Sequence, residues 1–204
     1  MSFQKEAMKQ HVVRMTVILC LIFPWSAYAG VPLEAVKNNV DKVLDVLRDP
    51  SLKTESAKKV KKDKIRAIAE KMFDFSELSK RTLAQNWSKF NPGQQTEFVE
   101  LYRSLLEDAY ADKIMAYTDE KIVFGKEVAL TEKTVEVQSR VLRKNGDISI
   151  YYRMILKNGV WRVYDVVIEG VSLLNNYRSQ FREILSNKPP ESLLETLRKK
   201  AGKA

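Results

Sequence analysis

Apolar positions recur every three to four residues in some stretches of this chain and every second residue in others, and the changes of period mark its elements. From Pro32 to about Arg48, the positions Leu33, Val36, Val40, Val43, Leu44 and Leu47 form a helical stripe that Asp49-Pro50-Ser51 ends. A second helical stripe, Ile65, Ile68, Ala69, Met72 and Phe73, continues out of a lysine-rich run. After Phe73-Asp74-Phe75, Ser76 is the expected N-cap of a short helix through Leu83. Asn91-Pro92-Gly93-Gln94 predicts a fresh start, with Asn as N-cap, Pro at the first helical position and Gln in capping-box register. The helix it opens is the longest in the chain, with an apolar face that includes Phe98, Leu101, Tyr102, Leu105, Leu106, Tyr110 and Ile114.

Past Thr118 the period drops to two. Ile122 to Gly125 predicts a short strand, and Lys133 to Arg143 alternates, with Val135, Val137, Ser139 and Val141 opposite Glu136, Gln138 and Arg140. Asn145-Gly146 is a hairpin signal, and Ile148, Ile150, Tyr152, Met154 and Leu156 then continue the apolar face. Asn158-Gly159 predicts a second tight turn before a last strand, Val160 to Ile168. Helical spacing returns from Val171 to Leu185, and Pro189-Pro190 separates it from a final amphipathic helix carrying Leu193, Leu194 and Leu197. The order predicts an α+β domain: a meander of about four antiparallel strands with several helices on one side. One stretch stands out, RVYDVVIEGVSLLNNYRSQF (162–181), because its apolar residues do not keep to one face. It either closes a core or lines a space.

The first thirty residues belong to a different class. Lys5, Lys9 and Arg14 precede a short apolar run, MTVILCLIF (15–23), and Ala27-Tyr28-Ala29 fits a secretory cleavage site. The reading is a leader over residues 1–29, cleaved after Ala29, and a single domain over 30–204. Cleavage removes the only cysteine, Cys20, and the only histidine, His11, and takes the formal charge from +9 to +7. A disulfide framework, a Ser-His-Asp triad, a Cys-His pair and an ordinary zinc site are thereby excluded from the mature chain. Glycines occur singly, so neither GxGxxG nor a P-loop is present. No catalytic residue and no metal site is expected. In an exported chain the positive balance points away from nucleic acid and toward an anionic surface or an acidic partner. The run KTESAKKVKKDKIR (53–66) holds seven basic residues in fourteen; Lys58, Lys59, Lys61 and Lys62 are either a solvated face or a docking patch for lipid headgroups or an acidic protein.

The motifs FDFSEL (73–78), NWSKFNPGQQTEFVELYRSLLEDAYADKI (86–114) and VYDVVIEGVSLLNNYRSQF (163–181) occur in this order over almost the whole mature chain. With them the chain resembles the MlaC family, also called toluene-tolerance auxiliary proteins. The resemblance implies an NTF2-like α+β fold with a curved sheet and a deep apolar pocket. It implies a soluble periplasmic protein, expected to be a monomer and not an enzyme, that shuttles phospholipid and so maintains outer-membrane lipid asymmetry. The implied partners are an inner-membrane ABC transporter with an MCE-domain subunit and an outer-membrane lipoprotein complex. The ligand is the transported phospholipid, and no cofactor is implied. The long helix and the meander supply walls for such a pocket, so each of Tyr102, Leu105, Leu106, Tyr110, Val135, Val137, Val141, Ile150, Tyr152, Met154, Val166 and Ile168 either belongs to the core or touches lipid. Trp161 reads as core or sheet cover, and Arg140 and Arg153 as solvated. Two other readings stay open: an exported interaction module or chaperone without lipid, and a small enzyme using Tyr164, Asp165 and Glu169. For those three residues the alternative is a hydrogen-bonded junction between strand and helix, with Glu169 capping the helix that begins at 171.

Overall fold

The computed structural model describes residues 31–117 and 120–202; the expected leader lies outside them. Helix α1, Val31–Arg48, carries the first apolar stripe, and Asp49 after it caps the next turn by accepting from the Ser51 amide at 2.9 Å. Short 3-10 turns at Pro50–Leu52 and Glu55–Ala57 lead into α2, Lys58–Met72. Phe73 then turns extended, and its partner across a parallel bridge is Val163; the Asp74 amide donates to the Val163 carbonyl at 2.9 Å. That bridge moves the next helix start. Asp74, not Ser76, caps α3 (Phe75–Leu83) by accepting from the Glu77 amide at 2.8 Å, because the sheet already holds the residue before it extended. Ala84 ends α3 at φ 50° and ψ −123°, and a 3-10 turn, Ala84–Lys89, follows. Helix α4, Pro92–Met115, opens with the full capping box of Asn91 and Gln94.

Five strands follow in the order β1-β2-β3-β4-β5, all antiparallel: Lys121–Thr131, Thr134–Leu142, Ile148–Lys157, Val160–Ile168 and Val171–Ser172. Two corrections to the sequence reading have one kind of cause each. β1 is eleven residues long and does not stop at Gly125, because a bulge between Phe124 and Glu127 breaks the alternation that marks a strand. The fifth strand is the first two residues of what periodicity assigned to a helix, so α5 spans Leu173–Leu185, with Ser172 as its cap. The last helix, α6, is Pro190–Lys200.

The helices are not confined to one side of the sheet. Its inner face, with Val137, Tyr152, Met154, Val163 and Val166, packs against Val36 and Val40 of α1 and Met72 of α2. Its outer face is polar over β2 and β3 but is covered at β4 by α3 and α5. There Tyr164, Asp165 and Val167 are buried, and the Arg81 guanidinium lies 4.2 Å from the centre of the Tyr164 ring. A strand buried on both faces has no polar side to show. That accounts for the apolar run at 163–168.

A second apolar cluster lies wholly among helices. Leu78 and Leu83 of α3, Phe98, Leu101, Tyr102 and Leu106 of α4, Phe181 and Leu185 of α5 and three leucines of α6 form it. Its centre is aromatic, with Phe98, Tyr102, Tyr177 and Phe181 at ring separations of 5.3 to 5.7 Å.

Candidate functional site

The two clusters share little. Phe73 is partly buried against both, and α5 sends Leu173 to the sheet cluster and Tyr177 to the helical one. Between α2 and α4 the contact is ionic: Lys62 reaches Asp108 at 3.0 Å, Arg66 reaches Glu107 at 2.8 Å, and Arg103 reaches Glu70 at 3.1 Å. Glu107 is the most enclosed member, and its second oxygen has no hydrogen-bond donor, only Arg103 Nε at 3.9 Å. This seam separates two apolar bodies with long charged side chains.

The sequence-derived pocket candidates divide along the same line. Tyr102, Leu105, Leu106 and Tyr110 belong to the helical cluster, whereas Val135, Val137, Ile150, Tyr152, Met154, Val166 and Ile168 belong to the sheet cluster. The long helix therefore does not close directly over the sheet; α1 does, through an amphipathic stripe that reads in sequence as an ordinary core helix. Burial divides the candidates again. Tyr102, Leu106, Val137, Tyr152, Met154 and Val166 are buried, while Leu105, Tyr110, Val135, Val141, Ile150 and Ile168 are half-buried. Burial pushes the Tyr152 hydroxyl up to about 12, against a hydrogen bond with Ser139, and burial also raises Tyr102, Tyr110 and Tyr177. These hydroxyls stay neutral at any physiological pH and present apolar rings with an uncharged tip.

Two recesses open near the seam and the helical cluster. One of about 140 Å³ lies between the α3 C-terminus and α5, beside Ala84, Asn86, Arg178 and Arg182. The other, about 330 Å³, has Glu70, Phe73, Phe75, Arg103 and Arg162 among its walls. Small-molecule pockets commonly run about 300–1,000 Å³, so only the second reaches that range.

Tyr164, Asp165 and Glu169 do not converge. Asp165 accepts from Ser172 Oγ at 2.7 Å, from the Leu174 amide at 3.0 Å and from Arg153 at 3.2 Å, which makes it the junction between β4 and α5. Glu169, at φ 51°, accepts from the Ser149 amide at 2.9 Å instead of capping α5; Ser172 does that, accepting from the Asn175 amide at 3.0 Å. Arg153 is tied to Asp165 and Glu136, so it is not simply solvated, while Arg140 is exposed and reaches Asp147 at 3.5 Å. Trp161 is buried on the inner face of the sheet. Of the four lysines singled out, Lys61 donates to the Leu47 carbonyl at 3.2 Å and Lys62 belongs to the seam. Lys58 reaches Glu55 at 3.5 Å, and Lys59 is exposed. Among the described residues, no group of acidic, histidine or cysteine side chains could hold a metal ion, and no helix is long and apolar enough to cross a membrane.

Sequence reasoning missed Phe73, Arg103, Glu107 and Arg162. The available signal was Arg103-x-x-x-Glu107, a charged pair one turn apart beside the broadest apolar stripe of the chain.

The order of elements and the split core invite comparison with known proteins. A family model described as MlaC protein matches residues 37–199. The chain belongs to the MlaC family. Its relatives include the intermembrane phospholipid transport system binding protein MlaC of Haemophilus influenzae, 25% identical over 126 residues, 59% of this chain and 59% of that protein. The chain thus aligns with less than two thirds of that relative's length. The toluene tolerance protein ttg2D of Pseudomonas putida is 23% identical over 175 residues, 84% of this chain and 81% of its own length. Among solved structures, a phospholipid-binding protein from Ralstonia solanacearum, determined in complex with a phospholipid, superposes with a TM-score of 0.74. That match has 23% sequence identity and covers 84% of this chain and 97% of the other. The MlaC-family fold is therefore the fold of this chain, five-stranded antiparallel sheet and helices together.

Proposed function

We propose that this chain is a non-enzymatic carrier that takes phospholipid across the periplasm between membranes, holding the acyl chains between the sheet cluster and the helical cluster. The observation that carries this reading is the split core. A domain of this size ordinarily has one contiguous core with minor satellites. Here two apolar bodies are held apart by ion pairs between partly exposed side chains, which contribute only about 0–1 kcal/mol each. An acyl chain gains about 0.8 kcal/mol for each methylene it buries. A lipid with roughly thirty methylenes therefore faces a cost on the order of 20 kcal/mol to sit free in water. Separating the seam costs little against that gain. On this reading the half-buried Leu105, Tyr110, Val135, Val141, Ile150 and Ile168 touch the ligand, and the six buried candidates support them from behind.

Family membership supports the carrier reading, and so do the names of the relatives, one a phospholipid transport protein and one a phospholipid-binding structure. The leader motif supports export, with a mature chain starting at Gly30. On this reading the chain exchanges lipid with an inner-membrane ABC transporter bearing an MCE-domain subunit and with an outer-membrane lipoprotein complex. The lysine-rich end of α2, with Lys58, Lys59 and Lys64 exposed, is the face that meets them or the anionic membrane.

The test is lipid extraction of the protein purified from the periplasmic fraction, followed by mass spectrometry. Phospholipid at close to one molecule per chain is the expected result. Protein that is folded, exported and free of lipid, even after incubation with vesicles, would defeat the carrier reading and favour an exported interaction module.

A further inference from the structure

The 330 Å³ recess sits at Phe73, where the two apolar clusters meet, and its walls are not lipid-like. Phe73, packed against both clusters, stacks on Phe75 with ring centres 5.5 Å apart and planes 20° apart. Around this pair stand two guanidiniums, Arg103 and Arg162, and two carboxylates, Glu70 and Asp74. Three of the four are engaged. Arg103 is held by Glu70 at 3.1 Å and Glu100 at 3.0 Å, and Asp74 holds Lys157 at 2.9 Å while capping α3. Arg162, projecting from β4, has no hydrogen-bond or ion-pair partner among the described residues, and neither has the Ser76 hydroxyl that also lines the recess.

From this arrangement we infer that the recess is a headgroup subsite for a zwitterionic phosphoester, phosphoethanolamine or phosphocholine in kind; the inference rests on the carrier reading above. The free guanidinium and hydroxyl supply donors for a phosphate oxygen. The ammonium then has Glu70 and the face of the Phe73–Phe75 pair within the same recess. An anionic headgroup that lacks an ammonium, such as phosphoglycerol, meets the same arginine but brings no cation to Glu70, whose carboxylate already shares Arg103, and so adds net negative charge to the recess. The acyl chains leave the recess past Phe73, into the division between the clusters. Charge and topology thus fix one orientation for the lipid, headgroup at the C-terminal end of α2.

The experiment loads the purified full mature chain from vesicles of equal phosphatidylethanolamine and phosphatidylglycerol with identical acyl chains, then quantifies both lipids on the recovered protein. The wild type is expected to enrich phosphatidylethanolamine about tenfold, the discrimination that one charge-assisted hydrogen bond gives. Arg162→Glu should keep total lipid per chain and lose the enrichment, with Arg162→Gln as a milder second variant should the first fold poorly. Arg140→Glu, on the outer sheet face, should leave the enrichment as it is. Free phosphoethanolamine added at tenfold excess over lipid should not displace the loaded lipid; displacement would identify a soluble phosphoester as the natural occupant and overturn the headgroup assignment. Lipid taken up in the vesicle ratio by the wild type, or enrichment retained in both Arg162 variants, overturns the subsite while leaving the carrier reading standing. No uptake of either lipid overturns both.

Discussion

Replacing Asp165 by alanine should nearly unfasten α5 from the sheet. The carboxylate is 1% exposed and receives three donors: the Ser172 hydroxyl, the Leu174 amide and the Arg153 guanidinium. Hydrogen bonds to a charged group contribute about 1.5–3 kcal/mol each. Arg153 is 32% exposed and keeps Glu136 at 3.1 Å, so its share must be discounted for solvent. Ser172 still caps α5 without Asp165, but the buried Leu174 amide is left with no acceptor. The sum comes to about 3–5 kcal/mol, the usual cost of breaking a buried charged network on one side. With a urea slope of about 2 kcal/mol per molar, the unfolding midpoint of Asp165→Ala should fall by about 2 M. Asp165→Asn keeps one carbonyl for the Leu174 amide and should fall by roughly half as much. Circular dichroism during urea titration at pH 7 reads both. A shift below about 0.5 M for the alanine variant would refute the reasoning, since α5 would then be held by its apolar face alone.

Ala84→Gly should raise stability by about 1 kcal/mol, seen as a higher melting temperature, because φ 50° strains any residue with a Cβ at that position. Burial would raise the pKa of Glu77, but hydrogen bonds from Lys157 and Arg81 outweigh it and hold the carboxyl below its ordinary value. Its stabilisation is therefore present above about pH 4.3 and lost as pH falls through the lower folded value, so the difference between wild type and Glu77→Gln in urea midpoint should shrink between pH 6 and pH 3. Glu127→Ala removes the acceptor of the Leu33 amide (2.8 Å) in the first turn of α1 and should cost about 1 kcal/mol, with faster exchange of amides in that helix by hydrogen–deuterium measurement. Lys59→Glu with Lys64→Glu should slow lipid transfer between vesicles and flatten its salt dependence; an unchanged rate would leave these lysines as solvated charge.

Periodicity found the helices because each presents a stripe at 3.6-residue spacing, and Asn91 and Gln94 announced α4 by chemistry that works locally. It failed where the chain's neighbours decide. The start of α3 depends on Phe73 bridging to Val163, ninety residues away in sequence, and no local pattern contains that contact. The C-terminal half of β1 follows a bulge, which reverses the meaning of odd and even positions. The candidate pocket residues were correctly grouped by face, as Val137, Tyr152 and Val166 share the inner one. Which face met which helix was not legible, since α1 and α4 both carry stripes wide enough to cover a sheet. The recess was hidden for a different reason: its members come one or two apiece from α2, the Phe73-Asp74 link, α3, α4 and β4, and each reads alone as surface charge or as a turn residue.

The bulge at Gly125-Lys126 also bears on how copies of this protein stay apart from one another. β1 is the outermost strand of the sheet, and no described segment pairs with its far side. An eleven-residue strand with an open ladder and with Val128 and Leu130 exposed at 38% and 43% is a template for a second copy to add to. The extra residue bends the strand midway and interrupts its run of free amides, so a straight partner can match only half of it. Deleting Lys126 would restore a regular ladder, with Glu127 still opposite Val137 on the inner face. This one-residue irregularity, just ahead of the Glu127 that receives the Leu33 amide of α1, thus guards the open edge against growth, strand by strand, into a fibre.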